Sequence, residues 1–320
     1  MSNTDSQGAA PKETTFRAFS REQGANYAEH RIDYHPRLYN SVLDFHASTG
    51  GQLDTVLDVG CGPGTAVRTL APRFAHAVGI DPSEGMIATA RSLGGVSSTS
   101  ELIRFEVTTA EEAGSQLSPP IAEGSVDLLI AANAAHWFDM SAFWPQAARL
   151  LRPGGTVALW GSGSMLVDRS MPNGPAIQAA VDRFEKSLDD HMLPGNRLVR
   201  GLYANLPLPW TLAEPVPEFD RASFVRKEWN TSEGSEPIDE FYTNQKPATV
   251  DALVKVLGTA SPVVRWSKAH ADAVGTERDP LQIMRKEIET LLQEAGMEPG
   301  AALIKGGVGG ALLMVKKSAP

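Results

Sequence analysis

Val56-Leu57-Asp58-Val59-Gly60-Cys61-Gly62-Pro63-Gly64-Thr65 decides how this chain folds. The apolar run from Leu53 to Val59 reads as a short buried strand, the glycines as a tight loop, and Thr65 to about Phe74 as a helix. That order sets the loop at the carboxyl end of a strand, in the crevice where open parallel sheets bind ligands. Further along, Ala77 to Ile80 reads as a second strand ending on Asp81, and Ser83 as the N-cap of a helix through Met86 to about Leu93. Phe105 to Thr108, Val126 to Ala131 and Thr156 to Trp160 continue the series, with a helix from about Ser141 to Leu151 before the last of them. Arg152-Pro153-Gly154-Gly155 stops that helix, because proline cannot continue it and glycine tolerates left-handed geometry.

After Trp160 the alternation lapses. Ala176 to Leu188 is helical, Leu193 to Pro217 is broken by prolines, and Ser223 to Trp229 reads as a sixth strand. Helices over about Ile238 to Val256 and Pro280 to Ala295 precede a last strand, Ala311 to Lys316. Strands alternating with helices predict an α/β fold: a doubly wound, mostly parallel seven-stranded sheet covered on both faces, with a helical lid. Residues 1–14, rich in small polar residues, read as a disordered tail, and 15–320 as a single domain. Its core is expected at about 40–165, 219–230 and 308–317, and its lid at about 15–38, 166–218 and 236–300.

The loop carries chemistry as well as topology. Its spacing is Gly-x-Gly-x-Gly, with Thr65 where a dinucleotide site wants glycine, which points away from pyrophosphate. Asp58 lies two residues before the first glycine, where a carboxylate repels a diphosphate but suits the surroundings of a cation. Asp81, about 20 residues on, stands where a carboxylate can accept both hydroxyls of a ribose. Cys61 reads as a small side chain that the tight loop tolerates, not as a nucleophile.

Composition narrows the partners. The 320 residues carry a formal charge of −9, with 42% hydrophobic and 21% charged residues, as in ordinary globular proteins. Nucleic acid is disfavoured, because its phosphates are held by excess lysine and arginine. No apolar run approaches the roughly 20 residues needed to span a bilayer. The opening residues lack the apolar stretch of a secretory leader, and one cysteine cannot form an internal disulfide, so the cytoplasm is the expected location. The seven histidines are scattered without zinc-like spacing, and no metal is expected.

Taken together, Val56 to Thr65 and Asp81 resemble the class I S-adenosylmethionine-dependent methyltransferases, whose fold is Rossmann-like. The resemblance implies S-adenosylmethionine as cofactor, with S-adenosylhomocysteine as product. It puts Gly60, Cys61, Gly62, Gly64 and Thr65 against the cofactor, Met86 near the adenine, and Ala110 and Glu111 at the adenine edge. Ala131-Ala132-Asn133-Ala134-Ala135-His136-Trp137-Phe138-Asp139 is similar to the small-molecule branch of that class, with Ala131 beside the cofactor. Within that branch the chain resembles the fungal trans-aconitate methyltransferase-like family. Tyr27-Ala28-Glu29-His30-Arg31 followed by Tyr34 fits that family's opening motif, although Ile32 stands where the family usually has proline. Gly155 to Gly161 and Leu193 to Arg197 extend the match, and beyond residue 230 it is faint.

The implied reaction is O-methylation of a small di- or tricarboxylic acid, trans-aconitate-like or a compact aromatic dicarboxylate, by a monomer or homodimer. A carboxylate is ionised at neutral pH and needs no base. It does need donors for its non-reacting groups, and Arg31, Arg197 and Arg200 are the candidates. Tyr27, Tyr34, Trp137 and Trp160 are candidate pocket walls, although tryptophans equally suit a core. His136 suits a proton acceptor, a donor to a substrate carboxylate, or a buried structural residue. Glu111 has the plain alternative of a solvated carboxylate at a helix start, and Asp58 that of a structural carboxylate capping the loop. Three other readings stay open: methylation of a neutral phenol or amine with His136 as base, a protein that retains the cofactor without methyl transfer, and a nicotinamide dehydrogenase.

Overall fold

The computed structural model describes residues 14–30, 33–48, 50–230, 248–298, 300 and 302–319. The expected tail lies outside them except for Thr14, as does the 238–247 part of the helix expected at 238–256. Strands β1 (Thr55–Val59), β2 (His76–Asp81), β3 (Arg104–Val107), β4 (Val126–Ala132), β5 (Leu151–Val167) and β6 (Phe219–Trp229) belong to one sheet. Strands β7 (Ala248–Thr249) and β8 (Leu303–Ile304) form a separate antiparallel ribbon, and β9 (Gly306–Lys317) returns to the main sheet. The seven-stranded order is β3-β2-β1-β4-β5-β9-β6. β3 through β5 are mutually parallel, and β9 runs antiparallel between β5 and β6.

The continuous burial of β1 and β4 follows from their position at the sheet centre, covered on both faces. One face is covered by α2 (Pro36–Ser48), α3 (Thr65–Leu70) and α4 (Glu84–Leu93), around Val42, Val67, Leu70 and Ile87. On the other, α5 (Met140–Leu150) buries Phe143, Trp144 and Ala147 against Leu129, Leu159 and Leu313. Ser83 caps α4 by accepting from Met86 N at 3.3 Å, and Asp139 caps α5 by accepting from Ser141 N at 3.0 Å.

β5 runs well past Trp160, to Val167. Its far half pairs Met165 with Val308 and Val167 with Gly306, carrying the sheet out into the lid. There α6 (Gly174–Ser187), α8 (Val250–Gly258), α9 (Ser261–Ala269) and α10 (Pro280–Glu294) close a third core around Ile177, Val181, Phe184, Trp266, Met284 and Ile288. Burying such side chains stabilises by about 1.5–3 kcal/mol each, so the lid has a core of its own and does not depend wholly on the sheet. Between these, α7 (Pro194–Arg200) bridges lid and sheet.

The sequence reading did not contain α1 (Arg21–His30), α2 or α9. α1 is polar almost throughout and lies close on α4: a Cβ at Gly24 would lie 2.8 Å from Gly85 O of α4. Two glycines thus let the helices cross backbone to backbone, which lays the N-terminal segment over the end of the sheet.

Candidate active site

The glycine loop is pinned by its backbone. Gly60 N and Cys61 N both donate to Ile80 O, at 2.8 and 2.9 Å, bending the loop over the end of β2. Gly60 and Gly62 have φ of +69° and +53°, which residues with side chains rarely adopt. A Cβ at Gly60 would also lie 2.6 Å from Ala134 Cβ, whereas one at Gly62 would meet open space. Asp81 accepts from Gly62 N at 2.9 Å through Oδ2 and from Ser83 N at 2.8 Å through Oδ1. Two backbone bonds therefore fix a carboxylate, which can accept about four, at the cavity wall.

That cavity holds about 1020 Å³ of open space, mouth included. Gly60, Cys61, Gly62, Thr65, Asp81, Met86, Ala110 and Glu111 line it, together with Tyr27, Tyr34 and Trp137. Glu111 is anchored there by accepting from Asp139 N at 2.9 Å. The carboxylates of Asp81 and Glu111 and the rings of Phe16, Tyr27, Trp137 and Phe138 suit an adenosyl sulfonium: hydroxyl acceptors for a ribose, and π faces for a cation. A diphosphate would find no lysine on this loop.

Three residues expected beside the cofactor do not line the cavity. Asp58 is wholly buried beneath the loop, and neither of its oxygens has a partner in hydrogen-bonding geometry. Burial holds its carboxyl well above the usual range, and the nearby Asp81 charge adds to this. Gly64 faces the Phe105 ring, 2.7 Å from where its Cβ would be. Ala131 points into the core, and by strand alternation its neighbour Ala132 faces the cavity instead. The Cys61 thiol is pushed well above its ordinary pKa by burial, then by Asp58 and Asp81, which suppresses the thiolate.

A second cavity adjoins the first, sharing Phe16, Tyr27, Asn133 and Trp137 with it. Its walls are largely apolar, with Met165, Phe184, Leu188, Val199, Leu257 and Val263 among them, and its polar groups include His136, Ser164, Glu185 and Arg200. His136 sits in the turn after β4, 8% exposed, with Nδ1 2.9 Å from the Tyr203 hydroxyl. Arg200 is ion-paired, at 3.5 Å from Glu185 and 3.3 Å from Asp189. Arg197 lies on the exposed side of α7, donating to Asp189 O at 3.3 Å, and lines neither cavity. Trp160 is a core residue, edge-on behind Tyr34 at 5.4 Å. Arg31 lies outside the described residues.

Phe16, Asn133, Ser164 and Glu185 escaped the sequence reading, as did the clasp over the site. In that clasp Arg265 donates to His191 O at 2.8 Å, to Thr15 Oγ1 at 3.0 Å and to Asn196 Oδ1. One guanidinium thereby joins α9 to the N-terminal segment and to α7. No local spacing signals this, because its members lie in three distant stretches.

Residues 57–159 match a family described as "Methyltransferase domain". A yeast protein named "Probable S-adenosylmethionine-dependent methyltransferase CRG1" (Saccharomyces cerevisiae) is 33% identical over 43% of this chain and 45% of its own length. "Methyltransferase AacuQ" of Aspergillus aculeatus is 32% identical over 51% of this chain and 48% of its own length. "Malonyl-[acyl-carrier protein] O-methyltransferase" of Dechloromonas aromatica is 35% identical over 32% of this chain and 35% of its own. The chain thus spans about half or less of the length of these relatives. A solved structure from Anaeromyxobacter dehalogenans, assigned as a type II methyltransferase, superposes with a TM-score of 0.60 at 25% identity, covering 91% of this chain and 99% of that one.

Proposed function

We propose, from the premise that residues 57–159 are a class I S-adenosylmethionine-dependent methyltransferase domain, that this chain methylates a carboxylate oxygen of a small acid. S-Adenosylmethionine is the domain's cofactor and supplies an electrophilic methyl whose transfer breaks the carbon–sulfur bond, forms a carbon–oxygen bond and leaves a neutral thioether. No proton need move if the acceptor is already ionised, as an ordinary carboxylate is at pH 7. The chain's own work is then positioning and exclusion of water, which can supply roughly 7–11 kcal/mol of the barrier. Asp81 and the loop hold the donor. Phe16 and Tyr27 cover the junction, and His136 and Arg200 are among the donors in reach of the acceptor's oxygens.

The observation that carries this reading is the shared wall of Phe16, Tyr27, Asn133 and Trp137, which sets a second, mostly apolar cavity directly against the donor cavity. The relative named for malonyl-[acyl-carrier protein] O-methylation supports an acid as acceptor. Charge in the second cavity favours a compact, largely apolar acid, aromatic dicarboxylates included, over a trans-aconitate-like tricarboxylate, because Glu185 shares its wall with Arg200. In this reading the chain works in the cytoplasm, as a monomer or homodimer, on a free small molecule.

Purified protein with methyl-labelled cofactor and a panel of mono-, di- and tricarboxylic acids, phenols and amines tests it. Label in a base-hydrolysable ester is the expected result. Label only in phenols or amines, or in nothing, overturns it.

A further inference from the structure

Tyr203 is held in place at a conformational cost. It and Leu202 have φ of +59° and +52°, a left-handed geometry that bulky residues avoid and that neighbouring packing must enforce. The turn drives the ring inward until it is 1% exposed, over Gly161 of β5, where a Cβ would lie 2.8 Å from Tyr203 Cζ. The hydroxyl arrives 2.9 Å from His136 Nδ1. Burial raises the phenol pKa far above its ordinary value, and the nearby Tyr34 adds to this. The His136 backbone opposes that shift. The phenol therefore keeps its proton.

A buried hydroxyl proton left without an acceptor costs about 1–3 kcal/mol. Within reach of this one is His136 Nδ1, which can accept only as a bare imine nitrogen. From this geometry we infer that Tyr203 donates its proton to His136 Nδ1 and so fixes His136 as the neutral tautomer protonated on Nε2. Tyr203 is then a positioning residue, and His136 meets the acceptor as a hydrogen-bond donor and not as a base. The consequence for chemistry, which rests on the O-methylation reading above, is selection among acceptors. A donor N–H stabilises the oxygens of an acid that is already ionised, whereas phenols and amines that must shed a proton find no imidazole lone pair there. The assignment of the proton itself stands apart from any substrate.

The test is the nitrogen spectrum of the full chain labelled with ¹⁵N-histidine at pH about 8, above the ordinary imidazole value, with His136→Asn to assign the signal among the seven histidines. The expected pattern is an imine-type shift at Nδ1 and a protonated, pyrrole-type shift at Nε2 of His136. Tyr203→Phe should turn that single tautomer into a mixture. It should also lower kcat roughly threefold to tenfold on whichever acid is turned over, with the KM for the cofactor unchanged. A protonated Nδ1 in the unaltered protein overturns the inference, and so does a Tyr203→Phe spectrum identical to it. If the variant fails to fold, the unaltered protein's spectrum alone decides. Absence of any methylated acid would sink the functional reading while leaving the tautomer result standing.

Discussion

Glu185 stands 3.5 Å from Arg200 in the wall of the second cavity, and its Oε2 also accepts from Ser164 Oγ at 2.8 Å. Arg200, with Asp189 on its other side at 3.3 Å, therefore faces the second cavity already matched by two carboxylates. A guanidinium so occupied can hold one further anionic group but gives little net attraction to several. Glu185→Gln removes one matching charge at nearly constant shape. It should lower KM for a dicarboxylate roughly tenfold while changing KM for the matching monocarboxylate less than about threefold, since about 1.4 kcal/mol of screened repulsion corresponds to a factor of ten. Equal changes for both acids would remove Glu185 from selectivity.

Asp81 supports the loop and, in the proposed reading, the donor as well. Asp81→Ala strands the N–H groups of Gly62 and Ser83 and deletes the acceptor for a ribose. Hydrogen bonds to a charged group contribute about 1.5–3 kcal/mol, so affinity for S-adenosylhomocysteine should fall on the order of 10- to 100-fold by calorimetry. Binding within twofold of the unaltered protein would show that the ribose is held elsewhere.

These two cases mark what sequence could and could not show. Asp81, Gly60 and Gly62 were legible because their roles are local: a strand end, a tight turn and a left-handed φ each leave a residue-type signature. Asp58, Gly64 and Ala131, expected beside the cofactor, do not line the cavity; for Ala131 one step of strand alternation puts the side chain in the core instead. Ser164 on the far half of β5, Glu185 on α6 and Tyr203 in the turn after α7 come together only through packing between distant segments, contacts that no spacing encodes. β5 itself was read as ending at Trp160, since Gly161-Ser162-Gly163-Ser164 looks like loop; pairing with β9 overrides that weak propensity. α1 was missed for the opposite reason. It lacks an apolar stripe and lies against α4 at the Gly24–Gly85 crossing.

The seat of the N-terminal segment on α4 can be tested with one methyl group. Gly85→Ala improves the intrinsic helix propensity of α4 by about 1 kcal/mol, yet its Cβ would lie 2.2 Å from Phe19 O, a backbone atom that cannot step aside alone. The N-terminal segment should therefore lift while the sheet is untouched. Expected are faster proteolysis within residues 14–30, weaker binding of cofactor and acceptor, and a Tm within a few degrees of the unaltered protein. Unchanged proteolysis and binding would mean that α1 does not depend on this contact.

At the opposite end of the sheet, Lys316 is 5% exposed, with Nζ donating to His46 O at 3.2 Å, Gly154 O at 2.8 Å and Thr156 Oγ1 at 2.9 Å. Burial lowers its pKa from 10.5 to about 8. Because the folded value lies below the unfolded one, the unfolded chain binds more protons between about pH 8 and 10.5. Stability contributed at this position should thus rise across that window, the penalty for a buried charge being fully present below it. His46, whose Nδ1 is 2.8 Å from Thr156 Oγ1, is also shifted down by burial, but its window lies below its ordinary value of 6.5 and does not overlap. Urea unfolding of Lys316→Met and the unaltered protein at several pH values should show the unaltered protein gaining stability relative to the variant from pH 8 to 10.5. Parallel curves across that interval would mean that the ammonium is not penalised in the fold.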